Sequence, residues 1–301
     1  MNNNLFNSLN ILDLSVWYDL PLSLQYIVVL IFGLCAGSFI NVVIYRLPLI
    51  FENELKEYIE EQTKQEGGPC IPQEFGIKDK KQNISLSKPS SACGNCGYML
   101  RWYDNIPILS WIFLKAKCRI CHSKISIQYP VVELISGIGT LFCYIAFNYI
   151  GQSFFAILLF WLLLTITILD AKTQLLPNEL SQPLIFLGLF CGWQNIFIDA
   201  NTAIAGFLFG FFILWIVAFL FKLIRGYEGL GSGDPYLLSG IGAFIGIDYT
   251  LYTIFFASIL GIFFVICRKI FMSKDIYGAI AFGPFISISG FLVFLYVNHV
   301  I

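Results

Sequence analysis

Long apolar segments recur along most of this chain, and in its second half only short polar connections separate them. Of the 301 residues, 57% are hydrophobic and 12% are charged, and 30 are Phe. So many apolar side chains exceed what the interior of a soluble domain of this length takes up. The pattern is typical of a multispanning membrane protein.

The number of spans follows from the length of the apolar segments, because a helix needs about 20 apolar residues to cross a bilayer. The sixth segment is short, and Gly240, Gly242 and Gly246 within it indicate close helix packing or a broken, partly re-entrant helix. The predicted fold is therefore an all-α polytopic membrane protein with about eight transmembrane helices. The predicted spans are 24–45, 130–149, 153–170, 183–199, 203–223, 235–247, 250–267 and 283–300.

The basic residues predict the orientation of these spans, because Lys and Arg are enriched in cytoplasmic loops. All 18 lie in segment 46–124 or in the connections around residues 172, 222–225 and 268–274. With eight spans these loops share one side, so both termini face outward. The predicted divisions are an outer-interface segment (1–23), a first transmembrane helix (24–45), a cytoplasmic domain (46–128) and a transmembrane core (129–301).

Two Cys-x-x-Cys motifs, Cys93-Gly-Asn-Cys96 and Cys118-Arg-Ile-Cys121, lie in the predicted cytoplasmic segment. Each motif can supply two thiolates to a tetrahedral metal ion, and their separation is close to that of a zinc ribbon. The alternative is a reduced or redox-active pair of motifs. Four thiolates leave no coordination position open, so we expect structural Zn2+ in a small cytoplasmic zinc-ribbon-like domain.

Two aspartates at the ends of apolar segments are the candidate catalytic residues. Asp170 closes the segment 154–169, and Asp234 follows the glycine-rich turn that contains Gly231 and Gly233. The predicted topology places both at the cytoplasmic boundary of the membrane. Adjacent carboxylates share one proton, so one can activate water while the other protonates a carbonyl, as peptide hydrolysis requires. The glycines would let the backbone come close to a substrate chain.

Other roles are also open to the acidic residues. Asp234 precedes Pro235 and can begin a helix as its N-cap, and Asp170 can mark where a span leaves the membrane. Glu133, just inside the second predicted span, is expected to pack against a polar partner. A proton-coupled transporter with a zinc-stabilised cytoplasmic domain would also carry intramembrane acids. However, the acids here cluster at one boundary, and we find no internal repeat.

The motifs together resemble the type IV prepilin peptidases, membrane aspartic proteases with a Gly-x-Gly-Asp signature. The resemblance covers nearly the whole chain. Two positions depart from the family pattern: Tyr236 stands where the family usually has Lys, and Asn178 where it usually has Asp. The matching motifs are segment 37–48, both cysteine pairs, segments 103–111 and 129–134, Leu169-Asp170 with Leu176-Pro177, Gly231-Ser-Gly-Asp234, and Phe282-Gly283-Pro284-Phe285.

The resemblance implies that Asp170 and Asp234 cleave the basic leader from prepilins or pseudopilins at the cytoplasmic face of the bacterial inner membrane. It also implies methylation of the new N-terminus with S-adenosylmethionine. Asn105, Pro107 and Trp111 are candidates for that second site only because they stand between the cysteine motifs. The expected partners are these substrates and membrane lipid, with no nucleic acid, and the oligomeric state is open. A non-catalytic assembly factor would leave the Gly-x-Gly-Asp turn unexplained.

Overall fold

The computed structural model describes residues 17, 19–66, 85–147, 149–227, 229–272 and 280–298. Within these ranges there are eight α-helices, one 3-10 helix (Trp102–Asn105) and two isolated β-bridges, but no strand. The predicted all-α class is thereby confirmed. The helices are α1 (Leu22–Glu66), α2 (Leu109–Phe113), α3 (Gln128–Ala146), α4 (Ile150–Thr173), α5 (Asn178–Trp193), α6 (Ala200–Arg225), α7 (Asp234–Met272) and α8 (Gly283–Val297).

Five of the helices, α1, α3, α4, α6 and α7, are long and apolar enough to cross a membrane. The shorter α8 is also apolar. The protein is therefore a multi-pass membrane protein, as predicted. The fourth helix was predicted at 183–199, but the corresponding helix, α5, begins earlier, at Asn178. It follows Pro177, which has an extended conformation, and it continues through Pro183.

The longest helix, α1, extends well beyond the predicted first span, which ended at residue 45. Its 45 residues include the predicted first span and residues 46–66 of the predicted cytoplasmic domain. Pro48 lies inside it and removes one backbone hydrogen bond. The Glu, Lys and Leu residues that follow are good helix formers, so the helix continues. Most of the predicted outer-interface segment (1–23), and residues 67–84 of the predicted cytoplasmic domain, fall outside the described residues.

Helix α7 contains the interruption predicted from its glycines. Gly246 has φ 78° and ψ 174°, which are not helical values. The two spans predicted at 235–247 and 250–267 are therefore two helical segments that meet at this kink, and α7 denotes both together. Close packing is confirmed at Gly242, where an added Cβ would overlap the carbonyl oxygen of Gly206 in α6, and the reverse holds at Gly206.

The chain forms two compact units, residues 34–137 and the remainder. In the larger unit α7 packs against α5, α6 and α8, and α4 packs against α8. The buried core between these helices fixes the end of α4 relative to the starts of α7 and α8. Its largest fully buried side chains include Leu159, Ile166, Leu184, Leu237, Phe244, Ile286 and Phe294.

The contact between Gly206 and Gly242 makes a prediction about stability. Gly206→Ala forces a methyl group against backbone atoms, which cannot move aside as a flexible side chain can, so we expect a loss of about 1–3 kcal/mol. Thermal unfolding of the purified protein in detergent would measure this. Gly261→Ala is the matched control, because its Cβ would lie 3.6 Å from the nearest atom, on Phe285. Equal unfolding temperatures for the two variants would contradict the prediction.

Candidate active site and metal centre

Asp170 lies in the last turn of α4 and is buried. The helix continues to Thr173 and ends where Gln174 adopts a left-handed conformation. The Oδ2 atom of Asp170 accepts a hydrogen bond of 3.0 Å from the backbone N–H of Gly283, the first residue of α8. The carboxylate therefore lies at the N-terminus of a second helix, where the helix dipole stabilises negative charge.

Asp234 is the first residue of α7 and is also buried. Its Oδ2 accepts a hydrogen bond of 3.2 Å from the backbone N–H of Gly231, and its own N–H donates to the Gly231 carbonyl at 3.2 Å. The Oδ1 atom is buried and has no hydrogen-bond partner among the described residues. Asp234 thus begins the helix, as its place before Pro235 indicated, and still has one oxygen free for another partner.

The connection after α4 joins the two aspartate sites. A Cβ on Gly233 would overlap the Leu176 side chain, and a Cβ on Gly283 would lie 3.1 Å from Leu176 Cδ1. Leu176 thus packs between the starts of α7 and α8, where Asp234 and Gly283, the hydrogen-bond partner of Asp170, are located. The structure therefore brings together two residues that are 64 positions apart in the sequence.

The two glycines of the turn before α7, Gly231 and Gly233, lie close to other residues of this chain. A Cβ on Gly231 would lie 3.1 Å from Asp234 Oδ2. Gly233 is buried against Leu176, which explains the absence of a side chain there. The sequence had suggested that both glycines admit a substrate chain. Of the two, only Gly231 is exposed.

Gly283 is a site residue to which sequence reasoning gave no role. It is buried, and a Cβ there would lie 2.5 Å from Asp170 Oδ2 and 3.2 Å from Asp170 Cγ. Any larger residue would displace the carboxylate. The signal in the sequence was the Phe282-Gly283-Pro284 motif, in which Pro is placed to begin a helix. The motif does not reveal that its partner lies 113 residues earlier.

Of the two departures from the family pattern, Tyr236 lies in α7, which also carries Asp234, and Asn178 lies in α5. The Tyr236 ring packs edge to face on Phe211 of α6, with ring centroids 5.2 Å apart. This position therefore contributes an aromatic contact instead of the positive charge of a lysine. Asn178 is exposed and is the first residue of α5.

The four cysteines of the two motifs converge in the smaller unit. Their Sγ atoms all lie within 4.8 Å of one another. The Cys93–Cys121 and Cys96–Cys118 sulfur separations are 3.8 and 4.0 Å. Tetrahedral zinc with Zn–S bonds of about 2.3 Å requires sulfur atoms about 3.8 Å apart. The cluster thus has the ligand number and spacing of a metal site.

The backbone folds in the same way around each cysteine pair. The N–H of Cys93 donates to the carbonyl of Tyr98, and that of Cys118 donates to the carbonyl of Ser123, both at 2.8 Å. Each turn needs a positive φ directly after its second cysteine, and Gly97 and His122 supply it with φ of 70° and 55°. His122 is exposed.

Asp104 joins the two cysteine turns through a buried carboxylate. It accepts hydrogen bonds from Arg119 in the second motif, at 2.6 Å, and from the Tyr98 hydroxyl after the first, at 3.4 Å. Burial by itself would raise the pKa of Asp104. The hydrogen bonds from Arg119 and from the Arg101 backbone N–H outweigh this and hold that pKa below its ordinary value. The carboxylate is therefore ionised at neutral pH.

The cysteine cluster predicts metal binding that depends on specific thiols. We expect Cys118→Ser to lose most of the bound metal, because a hydroxyl is a far poorer ligand than a thiolate and only three thiolates remain. Elemental analysis of the purified membrane protein would measure the metal per chain. Cys35→Ser is the control, because Cys35 is an exposed thiol on α1 outside the cluster. Equal metal content in the two variants would exclude the cluster as the binding site.

The helical bundle, the paired carboxylates at helix ends and the four-cysteine cluster define a class of membrane protein with a buried acidic site and a separate metal-binding module. Residues 31–147 match the bacterial peptidase A24 N-terminal domain, and residues 157–266 match the type IV leader peptidase family. The chain belongs to the type IV leader peptidase family. No solved structure matches it.

Curated relatives agree along most of the chain. A protein of Dichelobacter nodosus is 38% identical over 273 residues, which is 88% of this chain and 90% of the relative. A protein of Neisseria gonorrhoeae is 34% identical, covering 88% of each chain. One of Pseudomonas aeruginosa is 34% identical, covering 90% of each. All three are called prepilin leader peptidase/N-methyltransferase.

Proposed function

We propose that this protein is a membrane aspartic endopeptidase that removes the basic leader from type IV prepilins or pseudopilins. The observation that carries the proposal is the convergence of Asp170 and Asp234 at the adjoining ends of α4, α7 and α8. The names of the relatives support the substrate class. The alternative function, a proton-coupled transporter, is disfavoured because the chain belongs to a peptidase family.

In the proposed mechanism the two aspartates act as a pair. Neighbouring carboxylates share one proton, so the ionised member takes a proton from water while the protonated member donates to the scissile carbonyl. Asp170 is held through one oxygen by the N–H of Gly283, and the unpartnered Oδ1 of Asp234 is available to the proton or the water. The pair would titrate with two apparent pKa values that belong to neither residue alone.

The substrate would approach along the bilayer of the bacterial inner membrane. Segment 46–128, with most of the basic residues, would be cytoplasmic, and both termini would face outward. A prepilin's basic leader would then lie in the cytoplasm and its apolar segment in the membrane. This arrangement supports a scissile bond at the level of Asp170 and Asp234. We retain the predicted domain divisions as part of this proposal.

The metal proposed for the cysteine cluster is structural Zn2+, held by Cys93, Cys96, Cys118 and Cys121. Four thiolates close the coordination shell, so the ion would stabilise the cytoplasmic domain and take no part in hydrolysis. The relatives' names also support N-methylation of the trimmed product. In that reaction S-adenosylmethionine would supply the methyl group. Asn105, Pro107 and Trp111 are still its candidate contacts through their position alone.

The proposed mechanism predicts that each aspartate is indispensable. Asp170→Asn and Asp234→Asn replace an ionisable group with a neutral one of the same shape, and we expect at least about a 100-fold loss of cleavage. Mass spectrometry of a co-expressed prepilin would show the trimmed and untrimmed forms. Asp248→Asn, at an exposed acid in the middle of α7, is the control. Normal trimming by either site variant would eliminate that residue from the mechanism.

The contact between Gly283 and Asp170 yields a further prediction. Gly283→Ala adds a methyl group 2.5 Å from the Asp170 carboxylate, so the carboxylate must move. Small displacements of catalytic groups cost about 100-fold in rate, and we expect a loss of that order in prepilin cleavage. Gly261→Ala, at an uncrowded glycine in α7, should retain activity. Unchanged cleavage by Gly283→Ala would show that this contact does not position Asp170.

A further inference from the structure

The short helix α2, in the smaller unit, has an exposed apolar face. Leu109, Ile112 and Phe113, which we call the α2 apolar face, are spaced i, i+3 and i+4 and therefore lie on one side of the helix. All three are exposed, and Phe113 is 81% accessible. Trp102, in the preceding 3-10 helix, is 80% accessible. Contiguous apolar surface of this kind indicates a protein or membrane contact.

The backbone that leads into α2 is strained and is held by a buried acid. Ile108 has φ 60° and ψ −50°, and the Leu109 N–H donates to the Pro107 carbonyl in a γ-turn. A β-branched residue rarely adopts this conformation, which costs about 1–3 kcal/mol and persists only where the surroundings impose it. The Ile108 N–H donates to Glu133 Oε2 at 2.7 Å. The Ile108 N–H is therefore the polar partner that was predicted for Glu133.

The contact with Glu133 fixes how deep α2 lies. Glu133 is the sixth residue of α3, a membrane-spanning helix, so its Cα lies about 7.5 Å from the first residue along the axis. Its side chain leans back toward the helix N-terminus. The N–H of Ile108 is therefore level with the first two turns of a membrane span. Leu109 follows directly, so α2 begins at the same level.

Contacts between α1 and the first two turns of α3 support the same depth for Ile108. The Asn41 amide donates to the carbonyl of Tyr129 at 3.1 Å, in the first turn of α3. A Cβ on Gly37 would lie 2.7 Å from the Glu133 Cα. Gly37 lies in the apolar part of α1 that is long enough to cross a membrane. Two spanning helices thus flank the level at which Ile108 is held.

The surface around α2 has the composition of a membrane interface. The first two turns of α3 expose Tyr129, Val131 and Leu134, so apolar side chains are also exposed at this depth. Lys115 and Lys117, just after α2, are also exposed. Aromatic side chains at the headgroup level with lysines beside them are typical of segments that lie in the interface plane.

We propose that the α2 apolar face is inserted into the interface of the phospholipid bilayer and anchors the cysteine-bearing segment to the membrane surface. The apolar side chains would lie at the boundary of the acyl chains, and Lys115 and Lys117 would meet lipid phosphates. The proposal rests on the spanning helices α1 and α3 and not on the peptidase activity. It assigns a phospholipid surface, and not a second protein chain, as the partner of this face.

Site-specific photocrosslinking of the full-length protein tests this proposal. The photoreactive residue p-benzoylphenylalanine replaces Phe113 in one variant and Ile120 in the other, and each protein is reconstituted in nanodiscs of phosphatidylethanolamine and phosphatidylglycerol. Ile120 is the matched control, because it is also an exposed apolar residue of the smaller unit but belongs to the second cysteine motif. Both substitutions replace an exposed side chain, so folding is not at risk. Mass spectrometry after irradiation identifies the adducts.

We expect lipid adducts at position 113 in several-fold excess over position 120. Absence of lipid adducts at 113, or equal adducts at both positions, would overturn the proposal. Adducts at 113 formed mainly with another protein chain, or with residues 67–84 of this chain, would also overturn it, because the face would then have a protein partner. Because no prepilin is present, the outcome does not depend on the proposed cleavage reaction.

Discussion

A bilayer offers the peptide backbone no hydrogen-bond partners, and this constraint governs where chemistry can occur in this protein. The spans of this protein are helices, and a helix satisfies its own backbone hydrogen bonds within the membrane. Free backbone N–H groups then occur only at helix starts. Both aspartates accept a hydrogen bond from a backbone N–H at such a start. For Asp170 the donor is the first residue of α8, and for Asp234 it is Gly231 in the turn that precedes α7. The acidic site therefore lies where helices end and not along their sides.

Glycine is what allows these helix ends to converge. At Gly233 a side chain would overlap Leu176, and at Gly283 it would meet the Asp170 carboxylate. The absence of a side chain also lets α6 and α7 approach each other closely at Gly206 and Gly242. In a membrane, where lipid competes with helix contacts on equal terms, close packing of small residues is a principal source of association between spans. The packing that assembles the bundle is thus also the packing that assembles the site.

Sequence reasoning succeeded where the cause was local. Apolar length predicted α3, α4, α6 and α8 to within a few residues of their starts, and the glycines of α7 predicted its interruption at Gly246. The predicted end of the first helix at residue 45 was wrong, because strong helix formers beyond Pro48 continue α1 to Glu66. Local reasoning also missed the roles of Gly283, Asp104 and Ile108, because each depends on a partner at a distance that no local pattern encodes.

The sequence by itself determined that the chain spans a membrane, that four cysteines are spaced for one metal ion, and that two aspartates stand at the ends of apolar segments. These properties follow from composition and spacing, which bilayer thickness and tetrahedral coordination turn into structure. Only the tertiary structure decided that Asp170 meets α8, that Leu176 packs against the starts of α7 and α8, and that Glu133 holds a strained turn. Such contacts depend on which helices pack together, and that choice is made by shape complementarity over the whole bundle.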